Sequence, residues 1–127
     1  MNIIGTGVDI VETARIASSL ERHGDRFLAR VFLEGERAYC GKMARPEQCY
    51  AARFAAKEAV SKAFGTGIGA SLGWLDIEVR RKASGEPFVV LHGEGAKTAV
   101  RLGITELRLS LSHSDHYAVA HALALGV

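Results

Sequence analysis

The chain has 127 residues, of which 48% are hydrophobic and 24% are charged, and its formal net charge is +2. These values describe an ordinary globular protein and exclude a disordered or fibrous one. So small a net charge does not indicate a nucleic-acid partner, and no stretch reaches the roughly 18 apolar residues that a membrane span needs. We expect a single domain, residues 1–127, in the cytoplasm.

The first segment, Asn2 to Ile10, alternates between two faces, and a period of two predicts a β-strand. One face carries Gly5, Gly7 and then Asp9. Glycine inside a strand often marks the close approach of a ligand or of another backbone. Asp9 also stands just before a helical pattern, so it could cap that helix, serve a functional site, or do both.

Two helical patterns follow, over residues 11–22 and 25–30. They carry four arginines within sixteen positions: Arg15, Arg22, Arg26 and Arg30. These arginines could lie on a solvated helix face that is stabilised by ion pairs four residues apart. They could also form a docking surface for an acidic partner, because arginine recognises carboxylates with a fork of donors.

Two further helices are predicted, a third over Glu34 to Lys42 and a long fourth from Pro46 to Phe64. Proline suits the first turn of a helix, where its missing N–H is not needed. The two cysteines, Cys40 and Cys49, lie in these helical stretches. A single pair is no disulfide framework, so we expect packed, reduced thiols.

The fourth helix carries an unusual polar cluster near its end. Glu58 and Lys62 are four residues apart and are therefore neighbours, with Ser61 beside them. The glycines that follow do not open a helix, as those of a dinucleotide-binding fingerprint do, so Gly65 is predicted to end this one. A phosphate here would meet the negative end of the helix dipole and would need Lys62 or a metal ion to offset it.

Asp9 and Glu58 are the acids whose surroundings best suit a metal site. Two carboxylates, completed by phosphate oxygens and water, form the usual octahedral arrangement around Mg²⁺. The alternative is an exposed ion pair between Glu58 and Lys62, which would carry no chemistry. Motifs for zinc hydrolysis or for a serine nucleophile are absent.

The second half of the chain changes character after Gly73. We predict strands over residues 74–81 and 88–92, a turn between them at 84–87, a helix over 94–103, and strands over 106–114 and 117–125. His113 ends one of these strands on its apolar face, so it could be a core residue or a ligand contact. The whole pattern indicates an α+β fold.

Three stretches together resemble the holo-acyl-carrier-protein synthases, the small bacterial family of 4′-phosphopantetheinyl transferases. The stretches are Gly5–Ile10 with Arg15, then Phe54–Ala59 with Ser61, Lys62 and Gly65–Gly67, and finally Leu111–Ser114 followed by Tyr117–Ala120. They occur in the family's order and span the whole chain, whereas residues 34–47 depart most from its pattern. The resemblance implies the family's fold, in which an antiparallel sheet packs against one long helix and shorter helices.

The resemblance also implies an activity, which is the transfer of 4′-phosphopantetheine from coenzyme A to a serine of apo acyl carrier protein in fatty acid biosynthesis. The other product is 3′,5′-ADP. Asp9 and Glu58 would hold Mg²⁺ on the pyrophosphate, and Lys62 would bind phosphate and stabilise or protonate the leaving group. The serine proton would pass to Glu58 or to a metal-bound water. These three residues are the implied catalytic set.

Further contacts follow from the same resemblance. Coenzyme A would also meet Arg45, Arg53, Ser61, Gly65, Gly85, Pro87 and His113. The acidic helix of the carrier protein would meet Arg15, Arg22 and Arg26. Members of this size are homotrimers whose active sites lie between subunits, and the alanine-rich strand over residues 117–125 could pack near the trimer axis.

Two other functions remain open. The same group could be transferred to a carrier domain of a polyketide or multifunctional fatty acid synthase. Alternatively, the protein could be a non-enzymatic module that docks an acidic partner through its arginines, which would leave Asp9, Glu58 and Lys62 without a role.

Overall fold

The computed structural model describes all 127 residues and contains five strands and five helices in an α+β arrangement, as the sequence predicts. In chain order these are β1 (Asn2–Glu12), α1 (Thr13–His23), α2 (Asp25–Val31), α3 (Glu34–Gly41), α4 (Pro46–Phe64), β2 (Ile77–Arg81), β3 (Pro87–Leu91), α5 (Gly93–Leu102), β4 (Ile104–His113) and β5 (Tyr117–Gly126). A short 3₁₀ turn, Trp74–Asp76, replaces the predicted beginning of β2. No helix is both long enough and apolar enough to cross a membrane.

The strands form two separate antiparallel sheets. The larger sheet has the order β1-β5-β4, and the smaller one is the hairpin of β2 and β3. Helix α4 lies across β1 and β5, and its alanines form the centre of the hydrophobic core. This helix therefore connects most of the fold, and it places its polar residues next to the end of β1.

Very small residues allow α4 to lie close to the sheet. A Cβ atom at Gly5 would collide with the carbonyl oxygen of Ala63, and one at Gly7 would collide with that of Ala59. Strand β5 contributes alanines at alternate positions, and all of these are fully buried: Ala118, Ala120, Ala122 and Ala124. The glycines of β1 thus mark the close approach of another backbone rather than that of a ligand.

The other face of the larger sheet is largely uncovered, and its β1 side is apolar. Val8 and Ile10 of β1 keep 57% and 63% of their surface exposed. Val119 and Leu123 of β5 are half-buried beside them. The alanines of β5 therefore pack within the chain, whereas this opposite face is the one available to a partner.

A buried ion pair connects the helices to the hairpin. Lys57 and Glu36 are both fully buried, and the Lys57 ammonium lies 2.7 Å from Glu36 Oε1. The same ammonium donates to the carbonyl oxygens of Val31 and Trp74, and Glu36 accepts from the N–H of Val79. This network lies partly in the region where the resemblance to the family is weakest, and no local sequence pattern indicates it.

One sequence-based expectation is wrong, and so is one of the alternatives left open for Asp9. Cys40 and Cys49 form a disulfide, because the short connection between α3 and α4 brings their Cα atoms to 5.4 Å; cysteine number and compartment do not determine which residues meet. Asp9 does not cap a helix, because β1 continues to Glu12 and α1 begins after it without a side-chain cap. Asp9 instead lies within the strand, opposite Ala120.

Candidate active site

Asp9 of β1 and Lys62 of α4 form the centre of the first polar cluster. The Lys62 ammonium lies 3.2 Å from Asp9 Oδ1 and 3.0 Å from the carbonyl oxygen of Val8. The Asp9 side chain is mostly buried, whereas half of the Lys62 side chain is exposed. The Lys62 side chain therefore extends from α4 to β1, and part of it remains exposed to solvent.

Glu58 belongs to the same cluster but has no such partner. It is half-buried, and its carboxylate makes no hydrogen bond with another side chain or with the backbone. Burial raises the pKa of Glu58, the negative charge of Asp9 raises it further, and Lys62 opposes both effects. The alternative of a Glu58–Lys62 ion pair is wrong, because Lys62 bonds to Asp9 instead. Two carboxylates thus lie near one lysine, which bonds to Asp9 alone.

These acids face a cleft of about 350 Å³ between β1, α1, α2 and α4. Asp9 and Glu58 line it together with Arg15 and Ser19 of α1, and Phe27 and Phe54 form its apolar wall. A cleft with two acids, a nearby ammonium and an apolar wall can hold a cation and a phosphate. Arg15 connects this cleft to the outer surface of α1.

The arginines of α1 and α2 form no ion pair in the structure, so the solvated face with paired charges is not observed. Arg15, Arg22 and Arg26 are all exposed, and none lies within salt-bridge distance of a carboxylate. Arg26 lines a shallow groove of about 240 Å³ with His23 and Arg30. An exposed cationic surface without internal partners is therefore available for an acidic molecule.

The second cluster surrounds Arg53, in the N-terminal half of α4. Arg45, Arg53 and His113 line one pocket of about 300 Å³, as does Arg81. His113 is exposed there, so its interpretation as a core residue is wrong. Arg45 is exposed and forms an ion pair with Asp115 at 3.2 Å. The structure thus brings together three of the residues expected to contact coenzyme A and adds Arg81.

Arg53 is a buried cation without an oxygen acceptor. Only 2% of its surface is exposed, its Nη1 contacts the sulfur of Cys49 at 3.2 Å, and its Nε has no hydrogen-bond partner. Its guanidinium lies 4.4 Å from the centre of the Tyr39 ring. Burial lowers its pKa, since desolvation disfavours the charged form. A buried guanidinium with unused donors is well suited to bind an anion.

The other expected contacts are scattered. Ser61 is fully buried and its hydroxyl donates to the Glu58 carbonyl at 2.7 Å, so it does not open onto either cluster. Gly65 ends α4 with a φ of 78°, in the left-handed region. Gly85, with a φ of 91°, lies in the turn between β2 and β3, and Pro87 begins β3.

The two clusters lie on different sides of α4. Arg53 and Glu58 are five residues apart, which rotates their side chains by about 140° around the helix axis. Their two pockets share no residue. One chain therefore carries an acidic cluster and a basic cluster that face in different directions.

The fold and these two clusters define the class of the protein. The chain belongs to the 4′-phosphopantetheinyl transferase superfamily, whose sequence profile matches residues 5–122. It is 49% identical over 121 residues to the holo-[acyl-carrier-protein] synthase of Koribacter versatilis, an alignment that covers 95% of this chain and 97% of the relative. Within the superfamily it belongs to the holo-[acyl-carrier-protein] synthases, and it is therefore an enzyme of this transferase class.

Solved structures agree with this assignment. The synthase of Neisseria meningitidis superimposes with a TM-score of 0.92 at 31% identity, covering 98% of this chain and 99% of the other. That of Helicobacter pylori, solved in complex with coenzyme A, gives a TM-score of 0.85 at 32% identity over 94% of this chain and 99% of the other. The α+β fold expected from the resemblance is confirmed.

Proposed function

We propose that the protein transfers 4′-phosphopantetheine from coenzyme A to a serine of apo acyl carrier protein and releases 3′,5′-ADP, in cytoplasmic fatty acid biosynthesis. Family membership and the coenzyme A held by a homologous synthase support this. The observation that carries it for this chain is the cluster in which Asp9 and Glu58 line one cleft and the Lys62 ammonium bonds to Asp9. A simple docking module would have no need of this cluster.

The donor set of the cluster fits Mg²⁺. Asp9 and Glu58 offer only carboxylate oxygens, which Mg²⁺ prefers. Burial, and then the negative charge of Asp9, raise the pKa of Glu58, and a bound cation would offset both effects. These two residues would hold the ion. When bound, Mg²⁺ supplies positive charge to the pyrophosphate of coenzyme A.

Lys62 provides the mobile cation of the reaction. Because half of its side chain is exposed, it can turn from Asp9 toward a phosphate oxygen. The serine oxygen attacks the phosphorus that carries pantetheine, and the bond to the leaving phosphate breaks with its electron pair. Lys62 stabilises the negative charge that develops on that leaving oxygen. Its positive charge also offsets the negative end of the α4 dipole.

The serine proton needs an acceptor at the open side of the cleft. Asp9 is engaged by the Lys62 ammonium, whereas the Glu58 carboxylate has no hydrogen-bond partner. We assign the proton to Glu58, because a carboxylate has two oxygens and the one that does not hold the ion can accept it. Positioning and electrostatics then supply most of the rate acceleration.

The adenosine end of coenzyme A would occupy the second cluster. Its 3′-phosphate can use the unused donors of buried Arg53, with Arg45 and His113 at the pocket mouth. Gly85 and Pro87 in the neighbouring turn are proposed to lie near the adenine. Ser61 and Gly65 stay predictions as contacts. Ser61 is buried and bonded to the Glu58 carbonyl, whereas Gly65 is exposed at the end of α4.

We further propose a homotrimer whose active sites lie between subunits. The acidic and basic clusters of one chain face different directions, so one coenzyme A would be held by clusters from neighbouring chains. The exposed apolar face of β1 and β5 offers a surface for such contacts. Arg15, Arg22 and Arg26 would then receive the acidic helix of the carrier protein.

One experiment tests the transfer directly. The protein is mixed with coenzyme A, Mg²⁺ and apo acyl carrier protein, and the carrier is weighed by mass spectrometry. We expect its mass to rise by one phosphopantetheine, with no change when coenzyme A is omitted. An unchanged carrier would reject the proposal, and preference for a synthase-embedded carrier domain would favour polyketide or multifunctional synthases as the acceptor.

A further inference from the structure

The pocket around Arg53 contains a further arginine that neither a motif nor the family resemblance indicates. Arg81, the last residue of β2, lines this pocket beside Arg53. It is exposed, and it forms no ion pair. Its one side-chain hydrogen bond goes from Nη1 to the carbonyl oxygen of Gly85, at 2.6 Å.

The charges around this pocket are not balanced. None of its ten lining residues is an acid. Burial is the main reason for the lowered pKa of Arg53, and the positive charge of Arg81 lowers that pKa further. Two guanidinium groups that face one cavity repel each other, and an anion bound between them converts this repulsion into attraction.

The hydrogen bond to Gly85 gives Arg81 a second connection. Gly85 lies in the turn between β2 and β3 and has a φ of 91°, so the turn requires glycine there. Arg81 therefore spans from the cationic pocket to the turn that we propose to lie near the adenine. A guanidinium has five donors, so bonding to one carbonyl leaves most of them free.

We propose that Arg81 binds the 3′-phosphate of coenzyme A together with Arg53 and so determines the preference for 3′-phosphorylated nucleotides. This inference rests on the proposed function, because it assumes that the pocket receives the adenosine end of coenzyme A. Arg53 supplies a rigid, buried donor from α4, and Arg81 supplies an exposed donor from β2. The phosphate is held from two sides.

The test uses two nucleotides that differ only in the 3′-phosphate, 3′,5′-ADP and 5′-AMP, and measures their dissociation constants by calorimetry. Arg81→Gln keeps a donor for the Gly85 carbonyl but removes the charge, and Arg81→Lys keeps the charge without the fork. Arg101→Ala is the matched control, since Arg101 is an exposed arginine of α5 outside the pocket. Circular dichroism checks that each variant is folded.

We expect Arg81→Gln to weaken 3′,5′-ADP binding by about tenfold or more and 5′-AMP binding less than about twofold. Arg81→Lys should fall between it and the wild type, and Arg101→Ala should match the wild type. An unchanged ratio of the two constants in Arg81→Gln would mean that Arg81 only supports the turn, and would overturn the inference. If the wild type modifies the carrier yet binds both nucleotides equally, this inference fails while the proposed function stands.

Discussion

The ammonium group of Lys62 lies 3.2 Å from the carboxylate of Asp9, although the two residues are 53 positions apart in the chain. Glycines in β1 make this possible, because Gly7 lets the strand approach α4 closely enough for the lysine to reach it. The same approach leaves Glu58 beside Asp9 without a cation of its own. The Lys62–Asp9 ion pair therefore determines which carboxylate has a cation beside it, and the proposed chemistry depends on this.

Lys62→Ala should lower kcat by about 100-fold or more with little effect on the thermal midpoint, because it removes charge stabilisation at the leaving oxygen. The measurement is the rate of carrier modification at saturating coenzyme A. Lys97→Ala removes an exposed lysine of α5 and serves as the control, with activity near that of the wild type. A kcat close to wild type in Lys62→Ala would contradict the role proposed for this residue.

Glu58→Gln should abolish the stabilisation of the protein by Mg²⁺. It should also make the metal-free protein more stable. The folded state raises the pKa of Glu58 above its ordinary value of 4.5, so it binds that proton more tightly than the unfolded chain does. The stability of the metal-free wild type should therefore fall as the pH rises through 4.5 to the raised pKa, and the variant should lack this fall.

Thermal unfolding with and without Mg²⁺ checks this prediction. At neutral pH, Mg²⁺ should raise the midpoint of the wild type but not that of Glu58→Gln. Mg²⁺ should also bind the wild type less well at lower pH, since protons compete for the carboxylate. Equal stabilisation of both proteins by Mg²⁺ would show that the ion binds elsewhere.

Arg15→Glu should raise the KM for carrier protein by about tenfold or more, while the KM for coenzyme A changes little. Arg15 is exposed, unpaired and at the cleft that holds Asp9 and Glu58, so a reversed charge there repels an acidic carrier. The defect should be largest at low salt, where charges are least screened. Arg101→Glu, on α5, controls for the change in net charge, and an equal rise in both KM values would reject docking at Arg15.

Lys57→Met should lower the free energy of unfolding by about 3–5 kcal/mol, because it leaves the Glu36 carboxylate buried without its cation. Denaturation with urea measures this change. Lys82→Met breaks an exposed pair with Glu86 at 3.0 Å and should change stability by less than about 1 kcal/mol. Similar losses in both variants would mean that burial of the Lys57 pair contributes little.

Subunit complementation tests whether each active site is shared. Glu58→Ala and Arg53→Met are each expected to be nearly inactive, one through the acidic cluster and the other through the basic cluster. If the site lies between subunits, co-expressed variants should form mixed trimers that regain up to about a quarter of wild-type activity. Mixtures that stay as inactive as each variant alone would indicate that one chain supplies the whole site.

Much of the fold follows from local pattern. The alternation in residues 2–10 predicts β1, and Pro46 and Gly65 mark both ends of α4, where the structure has them. The predicted start of β2 is a 3₁₀ turn instead, since the capping bond from Gly73 N–H to Asp76 tightens the chain there. These signals come from residues that are close together in the chain, so they can be read directly from the sequence.

Only part of the candidate site could be predicted from the sequence. Asp9, Glu58 and Lys62 stand out through their residue types and their glycine or alanine surroundings, and the resemblance named them together. Arg81 gave no such signal, because an arginine at the end of a strand is ordinary until a pocket is found beside it. The disulfide and the Lys57–Glu36 pair were missed for a related reason, since both depend on how α3 packs against α4.

By itself, the sequence determined the elements, the order of the three motifs and the class of enzyme. The tertiary structure decided that Lys62 bonds to Asp9 rather than to Glu58, that Arg53 is buried without an oxygen acceptor, and that the two clusters face apart. The reason is physical. Periodicity reports which face of an element a residue occupies, whereas contacts between residues far apart in the chain depend on how closely the backbones pack, and here the small residues between β1 and α4 set that distance.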